Sequence, residues 1–163
     1  MQQGLNKQEF DFDALPQVVA VVGSRDFPHL HWVRSFVDRL RPTTIVVSGG
    51  ARGVDQAAET QAKKRQAEKK DVFFKPFEVE DFEWTQLGKG VGHVRNELLV
   101  RWVLKFKGCV AIFALLDAKG NLRGGSKNVK EWCETLHVDH VIFSVTENAN
   151  ERVRILRRGH GGD

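Results

Sequence analysis

Five short runs of apolar residues divide the chain at regular intervals, and they are continuous rather than alternating with polar positions. They lie at 18–22, 44–48, 72–74, 110–116 and 141–145. Continuous runs rich in β-branched residues are typical of parallel strands that helices cover on both faces. We therefore expect five strands in one buried sheet.

Apolar residues with helical spacing fill the segments between these runs. One predicted face combines Leu30, Val33, Val37 and Leu40, another Leu98, Leu99, Trp102, Val103 and Phe106, and another Val129, Trp132, Cys133 and Leu136. The segment 55–70 is charged but also favours a helix. Strands that alternate with helices predict an α/β fold of the Rossmann-like, doubly wound type. Its sheet is expected to be mainly parallel and five-stranded, with helices on both faces.

The length of 163 residues and the 41% hydrophobic content fit one domain with a sizeable core. We expect an N-terminal extension over 1–15, a Rossmann-like domain over 16–150 and a basic, frayed tail over 151–163, which holds four arginines. The long stretch 75–93 is predicted to be a functional loop, and Trp84 within it is a candidate for stacking on a base.

The charge pattern is compatible with anionic ligands, but the basic residues do not form a continuous surface of the kind that binds nucleic acid. The net charge is +4, so we expect nucleic acid binding to be weak at most. The spacing of Cys109 and Cys133 indicates neither a metal site nor a disulfide framework. No run of ~18 apolar residues is present, and the N-terminus is polar and acidic. These features predict a cytoplasmic protein that uses no metal and makes no membrane contact.

Residues that could bind a ligand directly follow the predicted strands, and open α/β sheets bind their ligands at this end of the strands. The candidate residues are Gly23, Ser24 and Arg25 after the first strand, Ser48, Gly49, Gly50, Arg52 and Asp55 after the second, Arg95 and Asn96 at the start of the third helix, and Gly124, Gly125 and Ser126 after the fourth strand. Glycines leave backbone N–H groups open to anions, and arginine grips phosphate with two parallel hydrogen bonds. The pattern predicts a phosphate site, with Arg123 as a further candidate.

Each of these features also has a plainer interpretation. A glycine pair before a helix is often only a turn, and Arg25 could pair with Asp26 on the surface. Asp55 is a typical acidic residue for the first turn of a helix. The convergence of several such features at one sheet edge favours the phosphate site.

The motifs VVGSRDF, VSGGARGVDQAAETQA, GKGVGHVRNELLV and RGGSKN resemble the SLOG superfamily. This superfamily joins the DNA-processing protein DprA/Smf, the LOG phosphoribohydrolases and molybdenum-cofactor carriers, and the chain is most similar to its small YspA-like members. The resemblance spans roughly 16–145. It implies a Rossmann-like fold whose glycine motifs, which are the candidate residues above, bind nucleotides or nucleotide-derived ligands.

The fourth motif departs from the superfamily pattern PGGxGT. Arg123, Lys127 and Asn128 stand where the pattern has proline, glycine and threonine. In LOG enzymes, an arginine on the third helix and a glutamate after this motif cleave an N-glycosidic bond. Arg95 matches that arginine, and Glu131 lies near the position of the glutamate, so the resemblance makes these two residues the catalytic candidates.

The leading hypothesis is a sensor or carrier module that binds a nucleotide or another phosphorylated, nucleotide-derived small molecule. Two alternatives stay open: hydrolysis of the N-glycosidic bond of nucleoside 5′-monophosphates, and DprA-like binding of single-stranded DNA. No cofactor is predicted beyond a bound nucleotide. We also expect a homodimer, because superfamily members commonly pair and the apolar stripe of the third helix is broader than a small sheet needs.

Overall fold

The computed structural model describes residues 11–69, 71–77, 91–146 and 153–158. Its strands are β1 (Val18–Gly23), β2 (Thr44–Ser48), β3 (Val72–Pro76), β4 (Cys109–Leu116), β5 (Asp139–Thr146) and β6 (Val153–Arg158). Its helices are α1 (Leu30–Arg39), α2 (Val54–Lys69), α3 (Val91–Lys105) and α4 (Gly124–Leu136), and a 3-10 turn spans Phe12–Ala14. The predicted Rossmann-like α/β fold is confirmed.

The strands form one sheet in the order β3-β2-β1-β4-β5-β6. The first five are parallel, and β6 pairs antiparallel with β5. The order reverses between β1 and β4, where successive helices leave for opposite faces. A crevice at the carboxyl ends of the strands opens at such a switch point, and that is where open α/β sheets bind ligands.

Two apolar clusters bury the two faces of the sheet, which explains why the strand sequences are continuous apolar runs. Helices α1 and α2 pack on one face through residues such as Trp32, Phe36 and Ala58. Helices α3 and α4 cover the opposite face through Val100, Val103, Val129 and Cys133, among others. The glycine motifs are thereby held on a rigid scaffold at one edge of the sheet.

The C-terminal region differs from the prediction. Residues 153–158, expected within a frayed tail, form β6, so the sheet has six strands rather than five. The physical reason is that β6 pairs with backbone groups at the outer side of β5, which would otherwise be an open sheet edge. The β-branched residues Val153 and Ile155 suit a strand, although the four arginines of the region pointed to a solvated tail.

The third helix also begins earlier than predicted. Helix α3 starts at Val91, inside the stretch 75–93 that was expected to be a loop, so Arg95 lies in its second turn rather than its first. The strand before that stretch is longer than expected and reaches Pro76. Trp84, the predicted stacking residue, lies outside the described residues, as does most of the loop.

The apolar stripe of α3 divides between the core and the surface. Leu99 and Val103 are buried, Leu98 and Trp102 are half-buried, and Phe106, just beyond the helix, is exposed. Trp102 and Phe106 contact each other, with ring centroids 4.6 Å apart. No helix in the described ranges has the length and apolar character that a membrane crossing requires.

Candidate phosphate-binding pocket

A pocket of about 400 Å³ opens at the carboxyl ends of β1 and β4, at the switch point of the sheet. Its walls come from the β1–α1 loop, the β2–α2 loop, α3 and the first turns of α4. Ten of the predicted site residues line it: Gly23, Ser24, Arg25, Gly49, Asp55, Arg95, Asn96, Gly124, Gly125 and Ser126. Four segments that are distant in the sequence thus meet in one cavity.

Ser24 joins the first of these segments to the others. Its backbone N–H donates to the carbonyl of Phe113 at 2.9 Å, and its Oγ accepts from the N–H of Leu115 at 3.1 Å. The same Oγ lies 3.3 Å from Oγ of Ser126 in the first turn of α4. Because Gly23 sits tightly against β4, a Cβ there would lie 2.2 Å from the Phe113 oxygen, and no larger residue fits.

The start of α2 places a buried carboxylate in the pocket wall. Asp55 Oδ2 accepts from the N–H of Ala51 at 3.4 Å, and a Cβ added to Gly49 would lie 3.2 Å from that same oxygen. The guanidinium of Arg95 lies 3.4 Å from the position of the same Cβ. The absence of a side chain on Gly49 therefore leaves the space that the acid and the arginine both approach.

Burial raises the pKa of Asp55 to about 6, because the side chain has lost most of its hydration. The backbone of Ala51, the charge of Arg95 and the backbone of Gly49 and Gly23 oppose this increase and keep the pKa from rising further. Asp55 is 4% exposed, so its charge acts on the pocket from inside the protein.

Arg25 and Arg95 both line the pocket and supply positive charge to it from two different elements. Arg25 is exposed in the β1–α1 loop, and Arg95 is half-buried on α3. Within the described part of the chain, neither guanidinium forms a hydrogen bond or a salt bridge. Arginine donors that make no hydrogen bond to the described residues of a concave site are available to an anionic ligand.

The start of α4 is the third source of positive potential in the pocket. Gly124 has a φ of +59° and begins the helix after Arg123, so the open backbone of Gly124, Gly125 and Ser126 faces the cavity at the positive end of the helix dipole. The Asn96 amide donates to Oδ1 of Asn128 at 3.0 Å, which fixes α3 against α4 beside this helix start.

Four of the predicted site residues do not line the pocket. Ser48 is buried, and its Oγ donates to the Val21 carbonyl at 3.0 Å, so it joins β2 to β1. Gly50 lies on a neighbouring groove, and Arg52 is exposed outside the cavity. Glu131, the catalytic candidate, is exposed on α4 and is not part of the wall.

Arg123, the further candidate of the sequence, also lines the pocket. The backbone N–H of Asn121 is the main cause that lowers the pKa of Asp117, and the charge of Arg123 adds to it. The structure also adds residues that the site prediction did not include. Asp26 and Ala51 also line the pocket, and the apolar part of the wall consists of Val22, Phe77, Leu99, Leu115 and Val129. These apolar residues lie at strand ends and on the inner faces of helices, and this position is the only sequence signal that could have identified them as part of the pocket.

The arrangement can hold an anion and an adjoining apolar or planar group. Arginines and backbone N–H groups suit a phosphate, while the aliphatic wall suits a nucleoside beside it. Within the described ranges, no three His, Cys, Asp or Glu side chains are arranged to hold a metal ion. The two cysteines are buried free thiols, and burial raises the pKa of each to about 12.

Fold and pocket together define a Rossmann-like α/β protein with an arginine-lined cavity at the switch point of its sheet. The model of the family "DNA recombination-mediator protein A" matches residues 9–78, a stretch that contains β1 to β3 and the first two glycine motifs. This DprA/SMF family is part of the SLOG superfamily, so the match confirms the predicted resemblance. The sequence matches no curated protein significantly.

Proposed function

We propose that this protein binds a nucleotide or another phosphorylated, nucleotide-derived ligand in the pocket at the switch point, as a sensor or carrier module. The observation that carries the proposal is that Arg25 and Arg95, from two different elements, line one cavity, with neither guanidinium bonded to a described residue. The phosphate would lie between them, against the backbone of Gly49 and the first turn of α4.

The remaining wall supports a nucleoside attached to that phosphate. Leu99, Leu115 and Val129 offer apolar surface, while Asn96 and Ser24 offer amide and hydroxyl groups close by. Small-molecule sites typically combine a mainly apolar lining with a few polar groups that orient the ligand. A simple anion site would need only the polar half of this cavity.

Thermal unfolding tests the proposal because a ligand that binds only the folded protein raises its melting temperature. Nucleoside mono- and diphosphates should raise the melting temperature of the protein, and the corresponding nucleosides should do so much less. Inorganic phosphate serves as the control for the anion alone. Equal shifts with nucleosides and nucleotides, or no shift with either, would contradict the proposal.

Single-stranded DNA binding is the second candidate, and the match to the DNA recombination-mediator family over 9–78 is the observation that favours it. A DNA phosphate could occupy the same arginines, so the two candidates share a site. Fluorescence anisotropy with a labelled oligonucleotide at increasing salt distinguishes them. We expect weak binding that falls steeply with salt, and tight binding at physiological salt would favour the DNA function.

A further inference from the structure

A buried acid lies in the wall of a pocket whose other features favour anions. Asp55 is 4% exposed and lines the same cavity as Arg25 and Arg95. It lies in the first turn of α2, where the fold holds its carboxylate in place. A negative charge at this position opposes the binding of a phosphate. A phosphate that enters the pocket therefore binds more tightly when this charge is removed.

We propose that Asp55 takes up a proton from solvent when a phosphate binds, so that the pocket binds its phosphorylated ligand together with one proton. The proton forms an O–H bond on the carboxylate, and the neutral carboxyl group can then donate a hydrogen bond to a phosphate oxygen. This inference rests on the proposed function, since it takes the phosphate to lie beside Gly49. It makes the affinity of the pocket depend on pH in the neutral range.

The bare backbone of Gly49 brings the acid and the arginine to one place. A Cβ built on Gly49 would lie 3.2 Å from Asp55 Oδ2 and 3.4 Å from Arg95 Nη1. In the described part of the chain, Arg95 forms no salt bridge, so the two side chains approach this space without pairing. A ligand group that lies against Gly49 on this side has both as neighbours. The guanidinium attracts a phosphate there, and the carboxylate repels it while it is charged.

The surroundings of Asp55 prepare it to accept a proton. Burial raises the pKa of Asp55 to about 6 before any ligand is present. A bound phosphate adds a like charge beside the carboxylate, which raises the pKa further. It also engages Arg95, whose charge otherwise helps to hold this pKa down. The carboxylate and the phosphate then titrate as a coupled pair, so the carboxyl group is mainly ionised in the free protein and mainly protonated in the complex at neutral pH.

The other charged groups around Asp55 do not replace it in this role. Among the described side chains, Arg95 is the one whose charge shifts the pKa of Asp55, while backbone groups of Ala51, Gly49 and Gly23 also oppose the increase. Arginine does not lose its proton in proteins. The charged groups of the surrounding elements are Arg25 and Asp26 of the β1–α1 loop, Arg52 of the β2–α2 loop, Arg123 before α4, and the ion pair of Glu59 with Lys63 on α2.

Calorimetric titration with adenosine 5′-monophosphate at about pH 7.5, repeated in buffers of different ionisation enthalpy, counts the protons taken up on binding. The wild type should take up more than about half a proton per ligand bound. Asp55→Asn should lose this uptake because an amide does not titrate, and any exchange that remains belongs to the phosphate. Asp26→Asn is the matched control, since it removes a charge from an exposed residue of the same cavity and should keep the uptake.

The affinity provides an independent readout. Between about pH 6.5 and 8, the affinity of the wild type should fall about tenfold more than that of Asp55→Asn, because binding must supply the proton. At the upper end of this range, Asp55→Asn should bind adenosine 5′-monophosphate more tightly than the wild type. A purely structural role for Asp55 predicts the reverse, since the loss of a structural contact weakens binding.

Equal proton uptake by the wild type and Asp55→Asn would overturn the inference and leave the proposed function intact. Circular dichroism checks that the variant folds. If it does not, adenosine 5′-sulfate replaces it, because the sulfate ester does not titrate near neutral pH and any proton taken up then belongs to the protein. Zero uptake by the wild type with this probe would overturn the inference. Absence of adenosine 5′-monophosphate binding at every pH would instead contradict the proposed function itself.

Discussion

Gly53 lies directly against the backbone of Arg25. A Cβ added to Gly53 would sit 2.6 Å from the Arg25 carbonyl oxygen, and the residue has a φ of +84°, a conformation that favours glycine. The contact joins the first glycine motif to the second and sets the position of the loop that carries Arg25.

Gly53→Ala should therefore weaken ligand binding as well as stability, because the new methyl group must displace the Arg25 backbone. Gly120→Ala is a matched control, since Gly120 has a φ of +83° but a Cβ there would meet nothing within 4 Å. We expect the control to lose about 1 kcal/mol of stability and no affinity. Chemical unfolding and ligand titration of both variants check this, and equal ligand affinity in the two would contradict it.

The buried carboxyl of Asp55 should make stability depend on pH. The pKa of Asp55 is about 6 in the folded protein, compared with the ordinary value of 3.8 that we take for the unfolded chain. The folded protein therefore binds the proton more tightly than the unfolded chain does. Protonation of Asp55 therefore stabilises the fold fully below the pKa of the unfolded chain, and this stabilisation is lost as the pH rises through the pKa of the folded protein. Between about pH 7 and 4, the wild type should gain about 2–3 kcal/mol relative to Asp55→Asn.

Urea unfolding of both proteins across this range measures that difference directly. Asparagine keeps an oxygen that can accept from the Ala51 N–H, so Asp55→Asn isolates the charge. A difference in unfolding free energy that does not change with pH would show that Asp55 does not titrate in this range.

Hydrolysis of nucleoside monophosphates should be slow or absent, and Glu131→Gln should leave ligand affinity unchanged. The reason is geometric, because Glu131 is exposed and does not line the pocket, and a general acid must reach the reacting group. Chromatography for free base after incubation with a panel of monophosphates provides the assay. Release at ~1 per second or faster that disappears in Glu131→Gln would restore this residue as the catalytic carboxylate.

We propose that two copies of the chain pair through the exposed end of α3, and light scattering should give twice the mass of one chain. Phe106 is 50% exposed there and contacts the half-buried Trp102. Apolar groups that are exposed together in this way are typical of interfaces. Phe106→Glu should give the mass of one chain, and a wild type that scatters as a monomer at all concentrations would exclude the pairing.

The sequence was sufficient for the five parallel strands and for most of the residues that line the pocket. The apolar runs located β1, β2, β4 and β5 to within two residues, because parallel strands buried on both faces leave that pattern. Ser24, Gly49 and Arg95 were expected to meet and do line one cavity, since the loops after parallel strands meet at one edge whatever their separation in the sequence.

The predictions that differed from the structure depended on the direction of a side chain on its helix and on the pairing of one strand with another. Glu131 lies two residues from both Val129 and Cys133, which are buried, so its side chain points to the opposite side of the helix. The outward direction of Glu131 could have been deduced from the apolar face of α4. Strand β6 could not have been deduced from the sequence, because its pairing with β5 is a tertiary contact that overrides the polar composition of the segment.

Calorimetric titration of a nucleotide into the wild type, Arg95→Ala and Arg34→Ala tests the central claim most directly. Arg34 is exposed on α1 outside the pocket, so its variant controls for the loss of one positive charge. Binding to Arg95→Ala should be weaker by about 1.5–3 kcal/mol, the value of a charged hydrogen bond to phosphate, while Arg34→Ala should bind like the wild type. Wild-type affinity in Arg95→Ala would contradict a phosphate site in this pocket.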